Sequence, residues 1–255
     1  MILGIVQARM SSTRLPGKVL LPLAGEPMLA RQVERIRRAR SLDELIIATT
    51  TDRADDAVAS VTAKLGVPGY RGSVADVLDR FYRAAAPRRP SHVVRLTADC
   101  PLTDWDLIDR TVELATGGHV DYASTALRPT WPDGLDVEVM TFAALEAAWR
   151  EASSSVDREH VTQFIVKRPE RFRQVSVDSP VDLSAMRWTV DEPRDFEFVS
   201  RVYEMLYPSN PAFATEDVLA LLRHKPELLA INQGIERNEG LRRSIEQFIR
   251  EFSSE

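Results

Sequence analysis

The stretch 7–20 reads QARMSSTRLPGKVL and puts three cations, Arg9, Arg14 and Lys18, within ten residues, beside the hydroxyls of Ser11, Ser12 and Thr13. Cationic side chains and backbone N–H groups that converge in one small polar loop can hold an anion, above all a phosphate. The Pro16-Gly17 pair forces a turn that can aim Lys18 back at the loop. The chain has four lysines against 29 arginines, so a lysine at 18 points to a need for a compact point charge. The loop is not a Walker A sequence, because Val19 follows Gly17-Lys18, and Gly66, Gly69 and Gly72 do not form a dinucleotide-binding fingerprint. From residue types alone, a solvated basic loop and an anion site both stand.

Other chemistries find little support. There is no G-x-S-x-G elbow. The four histidines, His92, His119, His160 and His224, are scattered without zinc-ligand spacing. Cys100, the only cysteine, sits between an aspartate and a proline and reads as a small buried residue rather than a thiolate nucleophile.

The elements that must position the loop are legible as well. Ile2 to Val6 is an almost wholly apolar run, as expected of a strand buried on both faces. Similar runs recur at Leu45–Ala48, Val93–Leu96 and Val137–Met140. Between them lie helical spacings: Leu29, Val33 and Ile36; Val58, Val61 and Leu65; Val77, Leu78 and Phe81; Leu107, Ile108, Val112 and Leu114. The alternation predicts an α/β fold with a mostly parallel central sheet flanked by helices, which binds ligands beyond the carboxyl ends of its strands. A further short strand is expected at Trp188–Val190. After Pro208 the pattern is purely helical, so the expected organisation is a catalytic domain over 1–207 and a C-terminal helical appendage over 208–255.

Composition narrows the class. Apolar residues make up 44% and charged residues 28% of 255, an ordinary globular balance that excludes disordered, collagenous and disulfide-scaffold chains. The 33 basic and 38 acidic residues leave a net charge of −5, which argues against a nucleic-acid partner. No stretch approaches the roughly 20 apolar residues that span a bilayer, and the N-terminus lacks a signal-peptide pattern. The sequence therefore reads as a soluble, cytoplasmic protein with no membrane partner.

The loop is followed, in order, by IIATT (46–50), YRGSVADVLDRF (70–81), VVRLTADCPL (93–102), DYAST (121–125), WPDGLDVEV (131–139), DREHVT (157–162), RWTVDEPRDFEFV (187–199) and PELLAINQGIERNEG (226–240). In this combination the chain resembles the cytidylyltransferases of the spore-coat-polysaccharide type, relatives of the CMP-acylneuraminate synthetases, across nearly its whole length. The resemblance implies the nucleotide-diphospho-sugar transferase fold, Rossmann-like. It implies an enzyme that joins CMP from CTP to an acidic sugar or phosphonate-like acceptor and releases pyrophosphate, in the synthesis of surface polysaccharide precursors. Homodimerisation is implied too.

Residue by residue, the resemblance places Arg14 and Lys18 on the triphosphate, where attack at the α-phosphorus spreads negative charge that fixed cations stabilise. It assigns Asp99 and Asp191 to Mg²⁺, a hard ion that suits carboxylate, water and phosphate oxygens. Asp195 is a weaker candidate, since a carboxylate in the first turn of the helix begun by Pro193 complements the helix dipole. Gln7, Ala8, Arg9 and Ser12 are expected on the nucleotide, with Arg71, Gly72, Ser73 and Asp76 nearest the cytosine. Asp76 reads equally as a helix N-terminal carboxylate. The acceptor is expected at Asp133, Gly134, Asp136 and Glu138, although Asp133-Gly134 alone reads as a hairpin turn. Arg158, Glu159 and His160 complete that side: Arg158 to grip an acidic group in bidentate fashion, His160 to accept a proton. A glycosyltransferase using a nucleotide sugar is an alternative, disfavoured because Asp99-Cys100-Pro101 stands where an Asp-x-Asp motif would. A non-catalytic nucleotide-binding subunit is the other.

Overall fold

The computed structural model describes residues 1–237 and 239–252. In chain order the elements are β1 (Ile2–Gln7), β2 (Pro22–Leu23), β3 (Glu26–Pro27), α1 (Met28–Ile36), β4 (Glu44–Thr50), α2 (Asp56–Lys64), β5 (Gly69–Gly72), α3 (Val77–Ala85), β6 (His92–Thr97), α4 (Trp105–Thr116), β7 (Tyr122–Ser124), β8 (Glu138–Thr141), α5 (Phe142–Glu151), α6 (Ser155–Glu159), α7 (Gln163–Val166), β9 (Gln174–Ser176), α8 (Pro193–Leu206), α9 (Thr215–His224) and α10 (Glu239–Phe252).

The near-continuous apolar run of β1 is explained by its place at the middle of a seven-stranded sheet ordered β5-β4-β1-β6-β8-β7-β9. Leu3 and Ile5 point into one core layer with Ile46, Phe81, Val93 and Met140, while Val6 points into the other with Leu29, Val33, Ile47 and Val94. β1 pairs in parallel with β4 and β6, and β4 with β5. β8 pairs antiparallel with both β6 and β7, and β7 is parallel to β9. Only β8 therefore runs against the rest, and the sheet is mostly parallel with helices on both faces, as the alternation of strands and helices predicts.

Helix caps match their sequences. The Asp76 carboxylate accepts the Asp79 N–H at the start of α3 (2.8 Å), and Asp104 accepts the N–H groups of Asp106 (2.9 Å) and Leu107 (3.2 Å) at the start of α4.

Trp188–Val190, expected as a strand, joins no sheet. It is extended chain laid across two loops: the Trp188 and Thr189 N–H groups donate to the Asp133 carbonyl (2.6 and 2.8 Å), and Val190 N–H to the Asp99 carbonyl (2.7 Å). Among the described residues beyond 207, α9 and α10 are helices, and the first part of the segment shares the main core. Phe213, Val218, Leu222 and Leu228 are buried there, Arg35 donates to the Phe213 carbonyl (2.9 Å), and Thr215 N–H donates to Asp104 (2.9 Å). No helix among the described residues is long and apolar enough to cross a membrane.

Candidate active site

The first loop leaves the carboxyl end of β1 and is folded by its own backbone. Ser12 N–H and Gly17 N–H both donate to the Met10 carbonyl (2.9 Å each), and Met10 N–H is pinned to Asp55 (2.7 Å). The turn at Gly17 delivers Lys18 inward, where it is buried. Its ammonium donates to Asp99 Oδ2 (3.0 Å), Asp191 Oδ1 (2.8 Å) and the Val190 carbonyl (2.7 Å). The two carboxylates that the resemblance assigns to one metal thus converge on one cation, though they lie far apart in sequence. Burial opposes Lys18's charge, but Asp99 and Asp191 together outweigh it and raise its pKa. Burial likewise opposes ionisation of Asp99, yet Lys18 and the Thr97 hydroxyl hold it down to about 2. Both partners agree in direction: the pair stays charged through the physiological range.

A second layer holds Asp191 in place. Arg187, nearly buried, donates to Asp191 Oδ2 (3.0 Å), Asp133 Oδ2 (2.7 Å) and both oxygens of Asp195 (2.9 and 3.1 Å). Asp195 is fully buried and also accepts from Asn232 (3.0 Å) and from the backbone N–H groups of Asp191 and Glu192 (3.0 Å each), closing a capping box on α8. Asp195 therefore orients the residues around it rather than facing the cleft. Gly134 is obligatory for this layer. At φ +111° a Cβ there would lie 2.4 Å from Thr189 N, so only glycine lets the Asp133 loop dock under the Trp188 segment.

Three connected cavities open at this edge of the sheet. The first, about 570 Å³, is lined by Gln7, Arg9, Ser11–Arg14, Lys18, Thr97, Asp99, Glu159, His160, Asp191 and, from α10, Glu239 and Arg243. The second, about 310 Å³, shares Arg14, Asp99, His160 and Asp191 and adds Arg95, Asp133, Asp136, Glu138 and Thr162. The third, about 120 Å³, lies between Gln7, Ala8, Arg9, Val77, Arg80, Arg95, Glu159 and His160.

Most of the expected residues come together there, and some do not. Arg71 is turned to the surface, where it donates to the Thr50 and Asp52 carbonyls (2.8 Å each) and pairs with Asp56 (2.5 Å). Gly72, Ser73 and Asp76 line none of the three cavities. Arg158 donates to Asp76 (2.9 and 2.5 Å) and to the Trp149 carbonyl (2.7 Å), so it braces α6 against α3. Asp136 pairs with Arg237 (2.7 Å), yet burial dominates and pushes its pKa up to about 7. Burial also raises Asp133, against the pull of Arg237 and Arg187. Glu138 is bonded by Arg95, by Tyr122 Oη (2.5 Å) and by Thr162 Oγ1 (2.7 Å); burial opposes its charge, but these partners lower its pKa.

His160 follows α6, just before Val161, a β-branched residue held at φ +55°. That reversal puts His160 and Thr162 on the cleft together. His160 Nε2 is buried without a hydrogen-bond partner, and burial lowers its pKa despite Glu159, so the ring is neutral at pH 7. Cys100 is buried, and burial beside Asp99 pushes its thiol well up, which removes it as a nucleophile.

Sequence reading missed Arg80, Arg187, Arg237, Glu239 and Arg243. For Arg80 a signal existed, a charged residue on the apolar face that Val77 and Phe81 define. For Glu239 no local signal exists: Arg14 Nη1 donates to Glu239 Oε2 at 2.7 Å across 225 residues of sequence.

A family model for cytidylyltransferases matches residues 3–231. The spore coat polysaccharide biosynthesis protein SpsF of Bacillus subtilis is 33% identical over 233 residues, 89% of this chain and 95% of that protein. A 3-deoxy-manno-octulosonate cytidylyltransferase of Anaeromyxobacter dehalogenans is 35% identical over 149 residues, 57% of this chain and 60% of that protein. Among solved structures, a cytidylyltransferase from Leptospira borgpetersenii superposes with a TM-score of 0.86 at 28% identity, covering 92% of this chain and 99% of its own.

Proposed function

This chain belongs to the cytidylyltransferase family, and on that premise we propose that it transfers CMP from CTP to a hydroxyl of a sugar-type acceptor, releasing pyrophosphate for polysaccharide precursor synthesis. The observation that carries the reading is Lys18, buried between Asp99 and Asp191 on the wall of a cavity of nucleotide size that also presents Arg9 and Arg14.

In this reading Arg9, Arg14 and Lys18 hold the triphosphate, and the hydroxyls of Ser11, Ser12 and Thr13 add neutral donors. Asp99 and Asp191 would hold Mg²⁺. The donor set fits: two carboxylates already face one cation, and among the described residues no third ligand joins them, which leaves the remaining positions to phosphate and water. When bound, the metal would neutralise charge on the α-phosphate and the departing pyrophosphate.

The acceptor belongs in the second cavity. Asp133 and Asp136 can accept hydrogen bonds from sugar hydroxyls. If the sugar is acidic, its charge would lie toward Arg14 or Arg95, which line that cavity, whereas Arg158 lines none of the three. The acceptor oxygen bonds to the α-phosphorus, the α–β P–O bond breaks, and the hydroxyl proton passes to the neutral imidazole of His160, which lines both cavities.

The test is pyrophosphate release from CTP, UTP, ATP or GTP across a panel of acidic sugars, neutral sugars and phosphonates. Release dependent on CTP and on one acceptor class is expected. CTP binding without release across the whole panel would instead describe a non-catalytic subunit, and consumption of a preformed nucleotide sugar a glycosyltransferase.

A further inference from the structure

We propose that Arg80 reads the nucleobase, donating from its guanidinium to the ring carbonyl next to the glycosidic nitrogen of a pyrimidine held in the cavity of about 120 Å³. The inference rests on the reading of the chain as a CTP-using transferase and names a residue that favours a pyrimidine over adenine.

Arg80 is 1% exposed, and none of the salt bridges among the described residues involves it. Its one side-chain hydrogen bond runs from Nη1 to the Ser73 carbonyl (2.7 Å), and Nε is buried with no partner. The carboxylates nearest in effect, Asp55 and Asp76, are engaged elsewhere: Asp55 with Met10 N–H and Thr50, Asp76 with Arg158 and the cap of α3. A buried guanidinium without a carboxylate is costly unless something else accepts its protons. Burial lowers its pKa to about 10, with Arg9 adding to the effect, and it remains protonated near neutrality.

The fold maintains this arrangement. Arg80 lies one turn into α3, between Val77 and Phe81, so the helix turns it inward rather than to solvent. Gly72 at the end of β5 leaves room for its stem, because a Cβ there would lie 3.1 Å from Arg80 Cγ and 2.8 Å from the Tyr70 ring. The cavity that Arg80 lines opens on Gln7, Arg9 and His160, which also line the triphosphate cavity, so base and phosphates can occupy adjoining spaces.

Size and chemistry then agree on the ligand. A cavity of roughly 150 Å³ holds a single benzene ring, so about 120 Å³ that adjoins the larger cavity takes at most one six-membered ring and not a fused purine. A cationic donor wants a carbonyl oxygen; a pyrimidine supplies one beside the glycosidic bond, and adenine has none.

The test pairs a residue deletion with a ligand deletion. Binding of CTP, and of a carbon-linked analogue whose 6-aminopyridin-3-yl ring keeps the amino group but carries C–H in place of the carbonyl beside the glycosidic bond, is measured by calorimetry at pH 8, where both bases are neutral, on the wild type and on Arg80→Met. A hydrogen bond from a charged donor predicts that the wild type prefers CTP by about 10- to 100-fold. Arg80→Met should lose that preference while binding inorganic tripolyphosphate as the wild type does, which shows the variant folded with its phosphate site intact. If Arg80→Met misfolds, the wild-type preference decides by itself, and equal affinity for CTP and the analogue overturns the assignment. An Arg80→Met that keeps the full preference overturns it too. A wild type that binds tripolyphosphate but neither CTP nor UTP would overturn the CTP reading itself, a result distinct from an Arg80 variant that merely behaves as wild type.

Discussion

Lys18 occupies the place that a divalent cation would also claim. Its ammonium neutralises Asp99 and Asp191 at 3.0 and 2.8 Å, inside a wall where neither carboxylate is well solvated. Lys18 is buried but Asp99 and Asp191 are 27% and 20% exposed, so removing the lysine leaves uncompensated charge at a cost below the roughly 3–5 kcal/mol of a fully buried pair. Lys18→Met should therefore lose stability as well as rate, with pyrophosphate release down at least about 100-fold for want of a fixed charge on the triphosphate. The same two carboxylates, freed of lysine, should bind Mg²⁺ more tightly than in the wild type. Thermal melts with and without Mg²⁺ check this: the ion should raise the melting temperature of Lys18→Met more than that of the wild type. An equal shift in both would mean that the metal, if any, sits elsewhere.

At the scale of elements, α10 closes over the candidate anion site by a competing contact. Arg14 donates to Glu239 Oε2 at 2.7 Å, Arg243 pairs with the same carboxylate, and Ser244 Oγ donates to Glu159 at the end of α6 (2.9 Å). A phosphate arriving at Arg14 must displace Glu239. The pair is partly solvated, with side chains 22% and 17% exposed, so its worth is nearer 1 kcal/mol than the value of a buried bridge. Glu239→Ala should thus tighten CTP binding by about three- to tenfold; weaker binding in titration would show that α10 helps hold the nucleotide instead. Elements such as this mark the boundary of what sequence reveals. β1, β4, β6 and helices α1 to α4 were legible because their apolar period repeats over enough residues to betray the buried face. Trp188–Val190 has strand composition but too few residues to declare its neighbours, and its N–H groups go to the carbonyls of two loops. Lys18 could be singled out by type and placement, and Asp99 and Asp191 through the resemblance to a family. Arg71 and Arg158 looked the same on paper, yet Asp56 and Asp76 take them, since sequence displays charges and not their pairing.

For the molecule as a whole, the net charge of −5 decides less than where the charges stand. Beyond about 8 Å, ions at physiological strength screen exposed charges from one another, so a polyanionic nucleotide responds to the groups lining the cavities. There the balance is close: Arg9, Arg14, Lys18 and Arg243 face Asp99, Glu159, Asp191 and Glu239, and several of these are already paired with each other. A triphosphate set beside Asp99 and Asp191 gains little from cations those carboxylates hold, unless another positive charge enters with it. The candidate phosphate site is thus nearly neutral by itself. A divalent cation between the two aspartates would release Lys18 toward the phosphates and turn local repulsion into attraction. CTP should therefore bind at least about tenfold more weakly in EDTA than with Mg²⁺, a difference of about 1.4 kcal/mol or more, read directly by calorimetry. Equal affinity in both would mean that the arginines and lysine suffice, and that Asp99 and Asp191 serve to hold Lys18 rather than a metal.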